Sequence, residues 1–390
     1  MRTERSSQYS RFSLDVIENV REVFSDDWEK VLEALSRPVR TYYVRCNTHK
    51  ITPEELKNRL LQRGLRVDFC SAVPEALGLP IDGPFDIPIS DQLIVVDKQT
   101  AESVLQGANV YAPGIVDCDS VRLGDSVTVA SEFGETLASG DALMTANEIL
   151  TFRKGLAVRV VHRRFHGPQV RDLPEFSQGL LYPQSLGAMV TSRVLEPEPG
   201  ETIVDMNCAP GGKLSHLSQL MNNTGRILGF DRNSEKIAQS RRIVANLGCT
   251  NVTLSVHDSR YLDADFSNLN ADRVLIDPPC SALGLRPKVY DFTTRKRIGN
   301  LADYQKQFVK AASKVVKPGG TVVYSVCTFT TQECESIVEY AERECNLRVV
   351  EQKPILGSNG LSAFGRSALL CQRFHPHVHE GGYFIAKFER

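Results

Sequence analysis

The stretch Ile203-Val-Asp-Met-Asn-Cys-Ala-Pro-Gly-Gly-Lys213 decides the fold of this chain. A short apolar run leads into a glycine-rich turn and then into an amphipathic segment, which predicts a strand, a turn and a helix. Gly211 and Gly212 allow a ligand to approach the backbone closely, and the following helix N-terminus favours a carboxylate or phosphate. The turn has neither the dinucleotide fingerprint nor the spacing of a phosphate-binding loop. Taken alone, it fits a plain helix start equally well.

Strand and helix patterns alternate from Pro183 onward. Strands are predicted over residues 202–205, 226–231, 252–257, 273–277 and 321–326. Helices are predicted over residues 214–221, 234–247, 301–316 and 331–341. This alternation predicts an α/β fold with a doubly wound, Rossmann-like, largely parallel sheet. A final strand over 383–388 is expected to lie antiparallel at the sheet edge.

Two further zones precede this domain, which we place at residues 168–390. Residues 1–92 mix helix and short strand and predict an N-terminal α+β subdomain. Residues 93–167 contain short β-type runs separated by glycine turns, with few helical signals. Such spacing predicts a small β-barrel or sandwich module.

The composition is that of an ordinary globular protein, with 42% hydrophobic and 24% charged residues in 390. Because the formal net charge is only −1, any nucleic-acid role must rest on local basic patches. Residues 153–171 hold six Lys or Arg and no acid, and residues 286–297 hold five basic residues against one Asp. A solvated charged face is the alternative for each patch.

The ten cysteines do not follow a metal-binding or disulfide pattern. No two are spaced as C-x-x-C, so neither structural zinc nor any other metal site is predicted. The first seven residues lack the apolar core of a secretory signal, and no apolar run approaches the ~18 residues of a membrane span. Reduced thiols and a cytoplasmic location are therefore expected, with no membrane association.

Acidic residues end three successive strands after the glycine turn. Asp231 lies nineteen residues after Gly212, where a carboxylate can accept hydrogen bonds from ribose hydroxyls. Asp258 could meet an adenine amino group, and Asp277 ends the fourth strand. Each could singly be a helix cap. Together they indicate an adenosine-containing cofactor, and S-adenosylmethionine fits better than NAD because a pyrophosphate fingerprint is absent.

Cys280 and Cys327 each follow an apolar run of the predicted sheet. Methylation of pyrimidine C5 needs a thiolate, because addition to C6 makes C5 nucleophilic. Lys213 and the second basic patch are candidates to lower a thiol pKa, and Asp277 could orient the pyrimidine. The alternative is that both thiols pack as small hydrophobes, which is the interpretation for most of the other cysteines.

Four segments resemble the Nol1/Nop2/Sun family of RNA cytosine-5 methyltransferases: Asn207–Lys213, Asp277–Gly284, Tyr324–Thr328 and Gly382–Phe388. The resemblance covers roughly residues 180–390 and implies a class I methyltransferase domain. It implies that Cys327 is the C6 nucleophile and that Cys280 assists product release, with Asp277 and Lys213 close to the chemistry. The implied S-adenosylmethionine contacts are Asn207, Cys208, Ala209, Pro210, Gly211, Gly212, Lys213, Asp231, Lys236, Asp258 and Asp277.

The segment Gln106–Ile115 resembles the start of an inserted PUA module, an arrangement similar to the Nsun6 subgroup. That subgroup modifies tRNA near the acceptor end, and its PUA module is thought to hold the 3′ CCA terminus. The implied partner is therefore tRNA, and a monomer without a protein partner is expected. Alternatives are an rRNA cytosine-5 methyltransferase and a non-catalytic RNA-binding protein. Candidate RNA-binding residues are Tyr111, Arg153, Lys154, Arg159, Arg163 and Arg164.

Overall fold

The computed structural model of the chain describes residues 10–390, so the start on which the secretory-signal prediction rests lies outside the described residues. The N-terminal zone begins with two helices, and Ser13 caps the first of them. Its elements are α1 (Leu14–Phe24), α2 (Trp28–Leu35), β1 (Thr41–Cys46), α3 (Pro53–Gln62), β2 (Asp68–Phe69) and β3 (Ala76–Pro80).

The middle zone contains six strands and, against expectation, two helices. The prediction of few helices overlooked Asp97, which caps one helix, and the Thr145–Glu148 capping box, which starts the other. The elements are β4 (Gln92–Val96), α4 (Lys98–Leu105), β5 (Val110–Tyr111), β6 (Ile115–Asp117), β7 (Ser126–Ser131), β8 (Thr136–Ala142), α5 (Ala146–Phe152) and β9 (Leu156–Arg163).

The C-terminal zone alternates strand and helix as predicted. Its first half comprises α6 (Pro174–Ser177), β10 (Leu181–Pro183), α7 (Leu186–Val194), β11 (Thr202–Asp205), α8 (Gly212–Leu220), β12 (Arg226–Asp231), α9 (Ser234–Leu247) and β13 (Val252–Val256). Its second half comprises α10 (Leu262–Asp265), β14 (Ala271–Ile276), α11 (Arg295–Val315), β15 (Val316–Val326), α12 (Glu335–Cys345), β16 (Arg348–Val349), β17 (Ser358–Asn359), α13 (Gly365–Ala368), β18 (Gln372–Phe374) and β19 (Tyr383–Glu389).

Two helix starts differ by four residues or more from the sequence prediction. Helix α11 begins six residues early because the Thr294 hydroxyl accepts a hydrogen bond from the Arg297 amide and caps it. Helix α12 begins four residues late, at Glu335. The segment before it forms a turn in which the Thr330 hydroxyl and the Glu333 side chain bond to each other.

The large sheet has the order β13-β12-β11-β14-β15-β19-β18-β17, with β16 paired to β19. Strands β11 to β15 are parallel, and their order reverses between β11 and β14. Strand β19 is antiparallel to β15 as predicted, but the edge placement was wrong, because β18 pairs with its other side. Reversal of the strand order opens a crevice at the carboxyl ends of β11 and β14, where such folds bind ligands.

Two smaller sheets accompany the large one. Strands β5-β9-β8-β7-β4-β6 form a six-stranded sheet in the middle zone, in which only the β4–β7 pair is parallel. Strands β10-β1-β3-β2 form an antiparallel sheet. Strand β10 comes from the C-terminal zone, so this sheet draws on both sides of the middle zone.

The N-terminal helices pack on the loops of the large sheet and do not share the core of β1 to β3. Phe24 of α1 lies edge-on to Phe329, with ring centroids 5.3 Å apart. Leu283 and Ile298 complete this small core. The prediction of a single α+β unit over residues 1–92 therefore differs from the structure, because apolar faces of α1 and α2 bury against loops near both Cys280 and Cys327.

Within residues 10–390, no helix is both long enough and apolar enough to cross a membrane. The same part of the chain holds no cluster of three His, Cys, Asp or Glu side chains arranged to bind a metal ion.

Candidate active site

A cavity of about 370 Å³ lies where the strand order of the large sheet reverses. It brings together side chains from the carboxyl ends of the five parallel strands β11 to β15, as the sequence predicted. The predicted site residues that line it are Asn207, Ala209, Asp231, Lys236, Asp258, Asp277, Cys280 and Cys327. Six of the eleven cofactor candidates and both thiols therefore share one space.

The conformation of the glycine turn after β11 depends on the backbone of Gly211 and on a hydrogen bond from Arg45. Gly211 has φ +110°, a conformation that side-chain-bearing residues rarely adopt, and α8 begins at the next residue. Arg45 of β1, only 1% exposed, donates a hydrogen bond of 2.7 Å to the Gly212 carbonyl. It also donates to Gln184 and Ser215. Arg45 was missed from sequence, because a lone Arg in a strand far from the turn carries no local signal.

The polar side chains of the cavity differ in the hydrogen bonds that they already accept from the protein. Asp231 accepts a hydrogen bond from the Asn233 amide and remains half-buried. Asp258 is held by the Arg260 guanidinium, which lowers its pKa. The Asn207 side-chain oxygen is buried and has no hydrogen-bond partner among the described residues. Ribose hydroxyls and an ammonium group would donate hydrogen bonds to these acceptors, so this set of acceptors fits an amino-acid-linked nucleoside.

Two of the predicted cofactor residues, Cys208 and Pro210, do not line the cavity. Cys208 is buried, its amide donates to the Phe230 carbonyl, and its thiol packs beside Gly229 of β12. Burial strongly raises the pKa of this thiol. Its side chain therefore does not face the cavity, which corrects the expectation of a cofactor contact. Pro210 is exposed and lines a neighbouring groove.

Two aromatic residues of α11 line the cavity and were not predicted. Tyr304 and Phe308 are one helical turn apart, with their rings 5.0 Å apart. The Arg260 guanidinium lies 4.6 Å from the Tyr304 ring centroid. An aromatic pair at i and i+4 on a predicted helix beside the strand ends could have indicated them, since planar bases stack on such rings.

The two thiols lie side by side at the ends of adjacent strands. Ile276 of β14 and Tyr324 of β15 are register partners, so the residues that follow them emerge next to each other. The sulfur atoms of Cys280 and Cys327 are 3.4 Å apart, which is a hydrogen-bonding distance for sulfur. The structure therefore joins two residues that are 47 positions apart.

The two thiols are electrostatically unequal. The hydrogen bond from Cys280 lowers the pKa of Cys327, against burial and the Asp277 charge, and Lys213 and Lys288 lower it further. The same hydrogen bond, burial and the negative charge on Cys327 raise the pKa of Cys280. Cys327 is therefore the more readily ionised thiol of the pair and Cys280 the one that more readily keeps its proton, the difference that a nucleophile and a proton donor require.

Asp277 is the hub of the polar groups beside the thiols. Lys213 donates to its Oδ2 at 2.6 Å and Ser325 to its Oδ1 at 2.8 Å. Tyr383 donates to the same Oδ1 at 3.4 Å. Burial is the largest single influence on the pKa of Lys213 and lowers it, but the charges of Asp277 and Tyr383 and the hydrogen bonds to them together outweigh burial and raise that pKa, so the amine stays charged. Ser325 and Tyr383 were missed as site residues, although both lie within the segments that resemble the family.

The predicted RNA-binding residues fall into two groups. Arg153 donates to the Ile115 and Pro113 carbonyls, and Arg163 donates to the Gly107 carbonyl. Arg164 pairs with Glu135. These three guanidiniums therefore hold the middle module together.

The remaining candidates are available to a ligand. Lys154 and Arg159 are exposed, and their side chains form no hydrogen bond or ion pair within residues 10–390. Tyr111 is 56% exposed. In the second basic patch, two residues are engaged within the protein. Arg286 donates to four backbone carbonyls, and Lys288 pairs with Asp291.

Comparison with known proteins places this site in a class. The family model described as 16S rRNA methyltransferase RsmB/F matches residues 192–389, and the PUA domain model matches residues 92–163. These are the large sheet with its helices and the six-stranded sheet respectively. The site and the matches define an RNA-modifying methyltransferase. The chain belongs to the RsmB/F family of RNA cytosine-5 methyltransferases.

Three individual relatives show which RNA methyltransferases this chain is similar to along its length. The chain is 38% identical to the tRNA (cytosine(72)-C(5))-methyltransferase of Pyrococcus horikoshii, over 94% of this chain and 93% of that protein. It is 31% identical to the tRNA (cytosine(72)-C(5))-methyltransferase NSUN6 of Homo sapiens, over 90% of this chain and 83% of that protein. The 28S rRNA (cytosine(4447)-C(5))-methyltransferase of Homo sapiens is 36% identical but matches only 56% of this chain and 28% of its own length.

A solved structure supports the same placement. The crystal structure of NSun6 from Pyrococcus horikoshii with SFG superposes with a TM-score of 0.90 at 37% identity, covering 97% of this chain and 98% of that chain. The Rossmann-like methyltransferase domain with a PUA domain is thereby confirmed.

Proposed function

We propose that this protein transfers a methyl group from S-adenosylmethionine to C5 of a cytidine near the acceptor end of tRNA. The carrying observation is the unequal thiol pair beside Asp277 and Lys213, in the same cavity as the carboxylates suited to an adenosyl cofactor. Three relatives that are at least 30% identical over 90% or more of this chain are named as tRNA (cytosine(72)-C(5))-methyltransferases.

The cavity residues would hold S-adenosylmethionine, which supplies an electrophilic methyl group when bound. Asp231 would accept hydrogen bonds from ribose hydroxyls, and the unpartnered oxygen of Asn207 would accept one from the amino group. The N-terminus of α8 would face the carboxylate. The structural relative crystallised with SFG, an S-adenosylmethionine analogue, supports this choice.

Cys327 and Cys280 would divide the chemistry. The Cys327 thiolate adds to C6, which forms the sulfur–carbon bond and moves the C5=C6 electron pair onto C5, where it takes up the methyl group. Asp277 would orient the base through its N3/N4 edge, with Lys213 fixing the carboxylate. Solvent water would then take the C5 proton, the C5–H electron pair would re-form the C5=C6 bond, and the sulfur–C6 bond would break with its pair returning to Cys327. Cys280, held as a thiol at 3.4 Å, would donate to the departing sulfur.

The middle module would bind the RNA end. Lys154 and Arg159 offer unpaired charges to phosphates, and Tyr111 offers an exposed ring on which a base can stack. The PUA domain match over residues 92–163 supports this role. The target base must be turned out of the helix to reach the thiols. Monomeric state, cytoplasmic location and the zone boundaries at residues 92 and 167 stay predictions.

Trapping the covalent intermediate tests the division of roles. Cys280→Ala should accumulate a protein–RNA adduct with tRNA and S-adenosylmethionine, because release is impaired, whereas Cys327→Ala should form none. Cys118→Ala, a buried thiol of the middle module, is the matched control and should behave as the wild type. Adduct only in Cys327→Ala would exchange the roles, and adduct in neither would refute the mechanism.

The substrate is tested separately with a panel of tRNAs with and without the CCA end, and with rRNA fragments. We expect methylation of tRNA that weakens when CCA is removed. Methylation of rRNA alone would favour the rRNA alternative, and failure to bind S-adenosylmethionine in calorimetry would favour a non-catalytic protein. The human 28S rRNA relative matches only 56% of this chain, and the rRNA (cytosine-C(5))-methyltransferase NOP2C of Arabidopsis thaliana matches 93% of it at only 25% identity. The tRNA relatives combine wide coverage with higher identity, which favours the tRNA substrate.

A further inference from the structure

A buried carboxylate outside the proposed mechanism joins the loops that carry the two cysteines. Glu333, in the turn before α12, has 0% exposure. Its Oε1 accepts hydrogen bonds from the Ser281 amide at 2.8 Å and from the Gln305 side chain at 3.0 Å. Its Oε2 accepts from the Ser281 hydroxyl at 2.5 Å and from the Thr330 hydroxyl at 2.9 Å.

The donors belong to both loops. Ser281 directly follows Cys280, and its hydroxyl lies 2.7 Å from the hydroxyl of Thr328, which directly follows Cys327. Gln305 of α11 also donates to the Pro279 carbonyl, just before Cys280, at 3.0 Å. A displacement of either loop would therefore break a hydrogen bond to the same carboxylate or to its immediate partners.

The chemistry of these contacts requires a carboxylate. An ionised carboxylate accepts about four hydrogen bonds and donates none. The four hydrogen bonds described for Glu333 all come from neutral donors. A glutamine of the same shape would turn an NH₂ group toward two of those donors and lose their hydrogen bonds. Leaving buried polar groups unpaired is costly, so the arrangement selects for the acid.

We propose that Glu333 is a positioning residue that sets the separation of the Cys280 and Cys327 sulfur atoms. The inference rests on the roles given to these thiols in the proposed function. The charge of Glu333 has a second effect, since it adds to the hydrogen bond and burial that raise the pKa of Cys280. Glu333 thereby helps to keep Cys280 protonated, which lets it donate to Cys327.

Thiol cross-linking in the purified full-length protein tests the separation without RNA. Diamide takes two electrons and two protons from the pair, which forms a disulfide while diamide becomes the hydrazine, and mass spectrometry identifies the Cys280–Cys327 peptide. We expect Glu333→Gln to slow this disulfide about tenfold and to lower kcat about tenfold, with KM for RNA and S-adenosylmethionine affinity unchanged. Glu342→Gln is the matched control, because Glu342 also accepts from two neutral donors, away from the cysteines.

Ser281→Ala covers the case in which Glu333→Gln does not fold, because it removes only the hydroxyl contacts to Glu333 and Thr328. Ser281→Ala should also lower both the rate of disulfide formation and kcat. Wild-type disulfide rates in a folded, cofactor-binding Glu333→Gln or Ser281→Ala would overturn the inference. If wild-type protein cross-links rapidly but the Cys280→Ala variant forms no adduct in the trapping experiment, the proposed function fails instead.

Discussion

The Lys213 amine donates to the Asp277 carboxylate at 2.6 Å, across 64 residues of sequence. The ion pair joins the start of α8 to the end of β14 and so spans the crevice where the strand order reverses. Because Lys213 also lowers the pKa of Cys327, the same amine acts on the carboxylate proposed to orient the base and on the thiol proposed as the nucleophile. The site is thus one electrostatic unit built from three strand ends.

Loss of the Lys213 charge should impair chemistry more than binding. Lys213→Met leaves Asp277 without its cation and removes one of the charges that lower the pKa of Cys327. We expect kcat to fall about 100-fold with a small change in KM for RNA. Single-turnover methylation measures this. Lys314→Met is the control, because it breaks a Lys–Asp pair of the same 2.6 Å length outside the cavity, and an equal loss there would contradict the role of Lys213.

Removal of the Cys280 thiol should make Cys327 less reactive at neutral pH. The hydrogen bond from Cys280 is the largest influence lowering the pKa of Cys327. In Cys280→Ala, the pH profile for alkylation of Cys327 by iodoacetamide should therefore move to higher pH, as followed by peptide mass spectrometry. An unchanged profile would mean that Lys213 and Lys288 suffice.

Asp205 should make the stability of the cofactor-free protein depend on pH. Burial raises the pKa of this carboxyl from 3.8 to about 7, opposed by the Asn207 amide. As pH rises through that window, the unfolded chain loses a proton that the folded chain keeps, so stability falls. Asp205→Asn removes this titration.

Thermal unfolding between pH 4 and pH 8 checks the expectation. The Tm of Asp205→Asn relative to the wild type should be higher at pH 8 than at pH 4. Asp231→Asn, at the half-buried end of the next strand, is the comparison variant. A Tm difference that does not vary with pH would show that Asp205 is ionised throughout.

The two kinds of basic residue in the middle module should respond differently to mutation. Lys154→Ala and Arg159→Ala should keep the unfolding free energy and reduce the salt dependence of RNA binding by about 0.7 per lost phosphate contact. Arg153→Ala loses two hydrogen bonds to carbonyls and should cost about 1–2 kcal/mol of stability. Denaturant unfolding and salt titrations of RNA affinity separate these outcomes, and equal destabilisation by all three would contradict the division.

The close approach of two loops above Cys327 should not tolerate a side chain. A Cβ at Gly284 would lie 2.1 Å from the Gly382 carbonyl oxygen, and the Gly284 amide donates to the Cys327 carbonyl. Gly284→Ala should therefore lower kcat and Tm together, measured by methylation and thermal unfolding. Gly299→Ala, with open space around it, is the control.

The local sequence pattern was enough to predict most helices and strands of the C-terminal domain and the edge of the sheet at which the site forms. The prediction of β11, β12 and α9 agrees with the structure to the residue, because apolar periodicity and caps are properties of adjacent residues. The sequence also predicted that Asp231, Asp258 and the two cysteines lie close together, because the carboxyl ends of parallel strands meet at one edge of a sheet.

The sequence by itself determined the alternating α/β pattern, the glycine turn and the residue types at each strand end. Only the tertiary structure decided that Cys280 and Cys327 lie 3.4 Å apart, that Glu333 joins their loops and that Arg45 holds Gly212. These contacts join residues far apart in the chain, so they depend on strand register, loop path and the packing of all three sheets. No local periodicity encodes such relationships, because each arises from the folded arrangement as a whole.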